Sequence, residues 1–287
     1  MPALGGVLAR KALTGDLGAV RISRAVAETD VFKHATPVLY DRFMGPLLFE
    51  PYAKYVAERV ALLNPHRILE TAAGTGIVTR AVREAAPTAT IVATDINPAV
   101  VRFAEERVQF DNVTFQRADA QELPFEDASF DLVVCLFGIM FFPDKVRANA
   151  EARRVLRHGG RYIMVTFDLL DRNPVPRDAG EAVATLFPED PRYMERGPFS
   201  YTDSSVVAKD LRAAGFDDVA VETIALSSHV VARDAARGIV LGSPFRAEIE
   251  QLDSSALERA AAAVEEKLSV WEGKEAPLSA HVATAIR

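Results

Sequence analysis

Cysteine is nearly missing from this chain: Cys135 is the only one in 287 residues. A single thiol closes no disulfide within the chain and builds no cysteine cage for zinc, and such usage fits a reducing compartment, so the cytoplasm is expected. Long apolar runs are missing as well. No stretch approaches the ~18 residues that a bilayer crossing needs, so no membrane span is expected. Basic residues are outnumbered, 33 against 40 acids, for a formal net charge of -7, and no block of five or more lysines and arginines occurs. Such a chain repels a phosphate backbone, which argues against nucleic acid as a partner. Histidine is sparse. His34, His66, His158, His229 and His281 are scattered without metal-ligand spacing, so no metal is expected.

What is present is ordinary globular material, 49% apolar and 25% charged. The length suits one α/β domain with insertions better than two domains. Residues 1–27 hold Arg10, Lys11, Arg21 and Arg24 against one acid, Asp16. A transit leader has that composition; a floppy or helical arm is the expectation, and the apolar core of a secretory signal is lacking. From Val38 to Leu63 the spacing is helical, with Pro46 and Pro51 cutting it into pieces.

Strand and helix patterns then alternate. Ile68-Leu69 opens a strand that stops at Gly74, and Val78 to Ala86 is a helix. Thr90 to Thr94 is a strand ending at Asp95; Pro98 to Val108 is a helix with proline in its first turn, where the missing N–H costs nothing. Val113 to Gln116 and the apolar F-D-L-V-V-C-L (Phe130 to Leu136) are the third and fourth strands. Lys145 to Leu156 reads as a helix with His158-Gly159-Gly160 as its left-handed cap, and Arg161 to Phe167 as the fifth strand. Such alternation implies right-handed crossovers and a parallel sheet. Asp168 to Tyr201, rich in proline and charge, reads as a loop with a short helix. Ser204 to Ala214 is a helix, Val219 to Leu226 a strand, His229 to Lys274 mainly helical, and His281 to Ile286 a short last strand.

The chemistry sits in I-L-E-T-A-A-G-T-G (Ile68 to Gly76), between a strand and a helix. Glycine there allows a tight turn and close approach of the backbone to a ligand, and in open α/β sheets the ligand crevice lies beyond the carboxyl ends of the strands. Three acids end or follow consecutive strands: Glu70, Asp95 and Asp119. Asp95 can accept from a ribose diol, Asp119 from an exocyclic amine, and Glu70 can pair with an ammonium group. Two of them have a plainer reading: Asp119 as an Asx turn and Asp95 as a cap for the helix near Pro98. An acidic rim suits a cationic amino-acid nucleoside better than a pyrophosphate.

Four blocks now stand in order: I-L-E-T-A-A-G-T-G; A-T-D-I-N-P-A-V (Ala93 to Val100); A-D-A-Q-E-L-P-F-E-D-A-S-F-D-L-V-V (Ala118 to Val134); and R-R-V-L-R-H-G-G-R-Y (Arg153 to Tyr162). With them the chain resembles the class I S-adenosylmethionine methyltransferases, and most of all the bacterial group related to ubiquinone/menaquinone-biosynthesis C-methyltransferases. The resemblance implies a doubly wound, mostly parallel sheet of seven strands, a Rossmann-like fold. It implies a helical N-terminal arm over 1–60, a cofactor-binding core over 61–168, and a remainder over 169–287 with a helical insertion before the last strand.

It also implies that S-adenosylmethionine is the cofactor and S-adenosylhomocysteine the product. Gly74 and Gly76 resemble the glycines under the methionine moiety, and Glu70 the acid near its amine. Asp95 resembles the ribose ligand with Ile96 packed on adenine, and Asp119 with Ala120 the pair at the adenine edge. Cys135 and Phe137 stand where the family approaches the methionine end, and Tyr40 is placed to close over the cofactor. The chain departs from the family at Ala72, where glycine is usual, and at His158, where proline is usual.

No catalytic base is evident; His229 is the first choice among the histidines, and Cys135 fits a small buried hydrophobe better than a nucleophile. The acceptor pocket is expected from about Val31 to Tyr55, the Asp168 to Tyr201 segment and the Pro244 to Lys274 helices. The apolar G-I-M-F-F-P (Gly138 to Pro143) points to a small, partly apolar acceptor, with the methylated atom open among C, O and N, and with a monomer or homodimer as the assembly. Two rival readings stand beside this one. The first is an NAD-dependent Rossmann oxidoreductase, with G-T-G-I-V-T (Gly74 to Thr79) as a degraded fingerprint. The second is a non-catalytic S-adenosylmethionine-binding protein.

Overall fold

A computed structural model describes residues 37–187, 192–253 and 255–287; the basic segment of residues 1–27 and His34 lie outside them. The described chain enters through one helical turn, α1 (Pro37–Leu39), which widens into a π-helical segment, Tyr40–Phe49, before α2 (Glu50–Leu63). Pro46 therefore does not cut the helix, since the chain stays helical through it. Pro51 sits in the first turn of α2, where no N–H is required. Asn64 ends α2 in the left-handed region, φ 44°.

Then follow β1 (Arg67–Thr71), α3 (Ile77–Ala85), β2 (Thr90–Asp95), α4 (Pro98–Arg107), β3 (Val113–Arg117) and β4 (Phe130–Leu136). A 3-10 turn over Ile139–Phe141 leads to α5 (Lys145–Val155) and β5 (Leu156–Phe167). Next come α6 (Pro174–Leu186), α7 (Tyr193–Arg196), α8 (Ser204–Ala213) and β6 (Asp218–His229). The helical insertion is α9 (Ala232–Arg237), a second π-helical segment at Gly238–Gly242, α10 (Phe245–Leu252) and α11 (Leu257–Leu268). The last strand is β7 (Glu275–Ile286).

The seven strands form one sheet in the order β3-β2-β1-β4-β5-β7-β6. Pairing is parallel from β3 to β5 and antiparallel on both sides of β7. The order reverses between β1 and β4, the switch point beyond which α/β sheets bind ligands. Ile68, Leu69, Ile91, Phe130, Leu132 and Val133 are wholly buried. Covered on both faces, these central strands need apolar residues at successive positions and not alternation. Among the described residues no helix is long and apolar enough to cross a membrane.

Three sequence expectations change. His158-Gly159-Gly160 does not cap a helix: α5 ends at Val155, and these residues lie inside β5, where its register against β4 shifts between Phe130 and Leu132. Gly159 takes φ 75° in this bulge and its N–H reaches the Arg287 carbonyl at 2.8 Å. The Asp168 to Tyr201 segment is more helical than expected. Its prolines, Pro174 and Pro176, fall in the first turn of α6, where they fit, and Val175, Ala179, Ala182 and Val183 of that helix are buried. Asn173 clamps this helix to β7, exchanging hydrogen bonds of 3.0 Å with the backbone of Ser279 in both directions. Finally, β6 and β7 run twelve residues each, longer than the sequence pattern suggested.

Candidate active site

The segment between β1 and α3 makes three unusual turns in a row: Ala72 at φ 53°, Gly74 at 57° and Gly76 at 81°. At Gly76 a Cβ would come 2.9 Å from Val108 Cγ2, so both its conformation and its space require glycine. At Gly74 a Cβ would meet nothing within 4 Å, so the loop is open there. Ala72 holds a left-handed conformation with a methyl group, and opposite it Gly138 has no room for one: a Cβ there would lie 2.4 Å from Ala72 Cβ. A side chain removed from one wall thus makes space for the methyl group on the other.

The three acids occupy this rim in three different states. Glu70 is buried at 2% exposure and accepts the Thr79 hydroxyl at 2.6 Å. Burial raises its carboxyl to about 8; the Thr79 hydrogen bond opposes the rise and the nearby Asp95 adds to it. Asp95, half-buried, accepts the Gly74 N–H at 3.0 Å on one oxygen and the Asn97 N–H at 2.9 Å on the other. Its acidity too is weakened by burial against these backbone bonds. The cap of α4 is Asn97, which accepts the Ala99 N–H at 2.9 Å. Asp95 instead ties the glycine loop to the end of β2. Asp119 makes an Asx turn, its Oδ1 accepting the Gln121 N–H at 2.8 Å. Ile96 and Ala120 are half-buried beside these two acids. In the glycine loop itself, the Thr75 hydroxyl is buried with no hydrogen-bond partner.

Cys135 is fully enclosed at the end of β4. Burial raises its thiol to about 11 against hydrogen bonds from Thr71 and neighbouring backbone, the state of an inert core residue. Phe137, just beyond the strand, is held at φ 54°. Strained non-glycine backbone of this kind persists where the surroundings over-determine it. Here those surroundings are aromatic: its ring lies 4.4 Å from that of Phe167, 5.4 Å from Phe49 and 5.5 Å from Tyr52.

This aromatic cluster borders a cavity with an empty volume of about 560 Å³. Its wall comes from the π-helical segment (Tyr40, Met44), the strand ends (Phe137, Phe167), α7 (Tyr193, Met194) and the helical insertion (Ile239, Ser243). No charged side chain lines it among the described residues. The two π-helical segments meet here so closely that a Cβ on Gly242 would lie 2.9 Å from the Tyr40 nitrogen, and one on Gly238 2.9 Å from Phe43 Cβ. Tyr40 stacks on Phe49 at 5.2 Å and senses Asp95, so it stands between the acidic rim and the cavity. Asp41, next in the chain, pairs with Arg80 of α3 at 3.1 Å and ties the entering helix to the glycine loop's own helix.

Hydrogen bonds thus tie Asp95 to Gly74 and Glu70 to Thr79 around the glycine segment, Asp119 turns back on Gln121, and Phe137 and Tyr40 line the cavity. The structure leaves His229 outside the cavity wall, exposed and 3.6 Å from Glu275. Tyr193, Met194 and Phe199 fall within the Asp168 to Tyr201 segment expected to form the acceptor pocket; Ile239 lies outside the expected segments, because nothing in its local spacing distinguishes a pocket wall from a core.

Comparison with known proteins falls in line with this geometry. Residues 69–164 match the model of a methyltransferase domain. The chain is 38% identical over 106 residues to a demethylmenaquinone methyltransferase of Deinococcus radiodurans, covering 36% of this chain and 44% of that protein. It is 35% identical over 182 residues to the ubiquinone/menaquinone biosynthesis C-methyltransferase UbiE of Rhizobium leguminosarum bv. trifolii, covering 56% of this chain and 70% of that one. In fold it is similar to Haemonchus contortus phosphoethanolamine N-methyltransferase 2, solved with phosphomonomethylethanolamine and S-adenosylhomocysteine. There the TM-score is 0.56 at 16% identity, with 88% of this chain and 57% of that chain covered.

Proposed function

Since this chain belongs to the S-adenosylmethionine-dependent methyltransferase family that includes the ubiquinone/menaquinone-biosynthesis C-methyltransferases, we propose that it methylates a small, ring-bearing apolar acceptor of the quinone type. The observation that carries this reading is the uncharged, aromatic-walled cavity adjoining the acidic rim. Relatives named for quinone biosynthesis point the same way.

The residues present fit S-adenosylmethionine. The buried Thr75 hydroxyl has no partner among the described residues, the loop at Gly74 is open, and α3 offers its N-terminus. Asp95 uses one lone pair per oxygen on Gly74 and Asn97 and keeps the others for a ribose diol. Asp119 accepts from Gln121 chiefly on Oδ1, with Oδ2 only 3.5 Å from the Gln121 amide, so Oδ2 retains a lone pair that would serve the adenine edge, with Ala120 and Ile96 as apolar contacts. Glu70 would take the amine, and Gly74, Gly76 and Ala72 would let the backbone pass close to the methionine portion. Cys135 and Phe137 would stand on the strand-four side, and Tyr40 would close over the cofactor.

The cofactor supplies, when bound, a methyl group activated on a sulfonium. The chain's own part is position and dryness. Phe137, Phe167 and Phe199 exclude water and hold a flat ring by its faces. No carboxylate, histidine or lysine among the described residues lines the cavity, so no side chain there takes a proton at neutral pH. The acceptor therefore enters already nucleophilic, as an electron-rich reduced (quinol) ring does, and the ring proton that the methyl group replaces passes to water.

The rival dinucleotide reading loses its ground at Thr79. Where the fingerprint has its third glycine for close helix–strand packing, the buried Thr79 hydroxyl is committed to Glu70. A net charge of -7 suits a small-molecule acceptor more than nucleic acid, and the reading keeps a cytoplasmic enzyme, as monomer or homodimer. The test is methyl transfer to a 2-alkyl-1,4-naphthoquinol, with ethanolamine phosphate as the polar comparison. A naphthoquinol product heavier by one methylene is expected; methylation of the polar compound alone would contradict the reading.

A further inference from the structure

Three hydroxyls interrupt the apolar wall of the cavity: Ser243, Tyr40 and Tyr193. Ser243 is satisfied within the protein, donating to the Ile239 carbonyl at 2.5 Å and accepting the Phe245 N–H at 3.2 Å. The two phenols have no hydrogen-bond partner among the described residues. Largely enclosed tyrosines ordinarily find a partner, so two unused donors lining one cavity are available to a bound molecule.

Both rings are fixed in place. Tyr193 stacks on Phe245 at 4.7 Å with the planes 8° apart, and the close backing of Gly197 leaves a Cβ there only 3.3 Å from Tyr193 Cε2. Tyr40 stacks on Phe49 at 5.2 Å. Neither phenol ionises in the working range. Burial drives both far above the ordinary tyrosine value; next in effect is Tyr40 on Tyr193, and Asp95 on Tyr40. They stay O–H donors, and both line the one cavity.

We propose that Tyr193 and Tyr40 form a two-donor clamp for an oxygen atom carried by the acceptor ring, with Tyr193 the acceptor-positioning residue. A carbonyl or phenolic oxygen has lone pairs for two donors, and a bare hydrocarbon offers nothing to either. The specificity follows from asymmetry: an unmet donor in an apolar pocket costs more than a met one gains. An oxygen-bearing ring is thereby selected over a hydrocarbon of the same shape. This rests on the cavity being the acceptor site of a methyltransferase.

The experiment uses two probes of one shape, 1-tetralone and tetralin, which differ by a single carbonyl oxygen. Each is titrated into the full chain saturated with S-adenosylhomocysteine, for wild type and Tyr193→Phe, with thermal melting to show that the variant folds. Phenylalanine keeps the stacking and removes only the O–H. The expected result is an affinity for 1-tetralone reduced about fivefold, the worth of one neutral hydrogen bond, with the affinity for tetralin not reduced and raised where the unmet donor had cost it, and the affinity for S-adenosylhomocysteine unchanged. Equal weakening of both probes, no weakening of either, or no binding of either to the wild type overturns the clamp. Failure of S-adenosylhomocysteine to bind the wild type, seen before any probe is added, overturns the underlying reading as well.

Discussion

Replacing Glu70 by glutamine should change how stability responds to pH, by an amount the structure sets. The folded-state carboxyl stands at about 8 because burial penalises its charge; in the unfolded chain it returns to the ordinary 4.5. The folded value is raised, so the proton is bound more tightly in the native state. Below pH 4.5 both states hold it and nothing depends on pH. Between 4.5 and about 8 the unfolded chain has released a proton that the folded chain keeps, so stability falls as pH rises; above about 8 it levels off. At about 1.4 kcal/mol per pH unit, the loss between about pH 5 and pH 7.5 is about 3 kcal/mol. For a chain of this size that is roughly 6–12 °C in Tm.

Glutamine cannot titrate. It keeps an oxygen for the Thr79 hydroxyl and adds a buried NH2, a cost that does not vary with pH. The quantity to measure is therefore the difference in Tm between Glu70→Gln and wild type at several pH values, without ligand. It should move in favour of the variant from about pH 5 to about pH 7.5 and then flatten. A difference constant across that range would refute the buried, neutral Glu70 and with it the picture of a carboxyl held ready for a cationic group.

Two further outcomes follow from packing. Cys135, enclosed and raised to about 11 by burial, should resist a thiol reagent at about pH 8 in the native protein and react at once after denaturation; rapid native labelling would show that the wall at β4 opens. Gly138→Ala should destabilise by about 1–3 kcal/mol through overpacking on Ala72, and Ala72→Gly in the same chain should restore most of the loss, which chemical denaturation of the double-mutant cycle reads directly.

The sheet was largely legible because its signals are local. Thr90 to Thr94 and Phe130 to Leu136 announce themselves by β-branched and continuous apolar residues, and the acids at their ends mark the rim. Local signals with two meanings were harder to read. His158-Gly159-Gly160 has the chemistry of a helix cap, yet the left-handed glycine serves a bulge in β5 that sets its register beside β4. Pro174 and Pro176 look like helix breakers and instead start α6. β6 runs beyond its expected end because it is an edge strand whose exposed residues carry no apolar pattern.

The cavity was legible only in outline. Tyr40, Tyr193 and Ile239 come from three separate stretches of chain, and only tertiary packing of the π-helical segments at Gly238 and Gly242 makes them one wall. Glu70 was visible as an acid at a strand end, but its neutral state was not, since that depends on its burial and on Thr79 nine residues away.

Calorimetric titration of the full chain with S-adenosylhomocysteine, beside NAD as the control, bears most directly on the cofactor crevice proposed at Gly74, Asp95 and Asp119. Micromolar binding of S-adenosylhomocysteine alone is expected. Binding of NAD, or of neither compound, would contradict it.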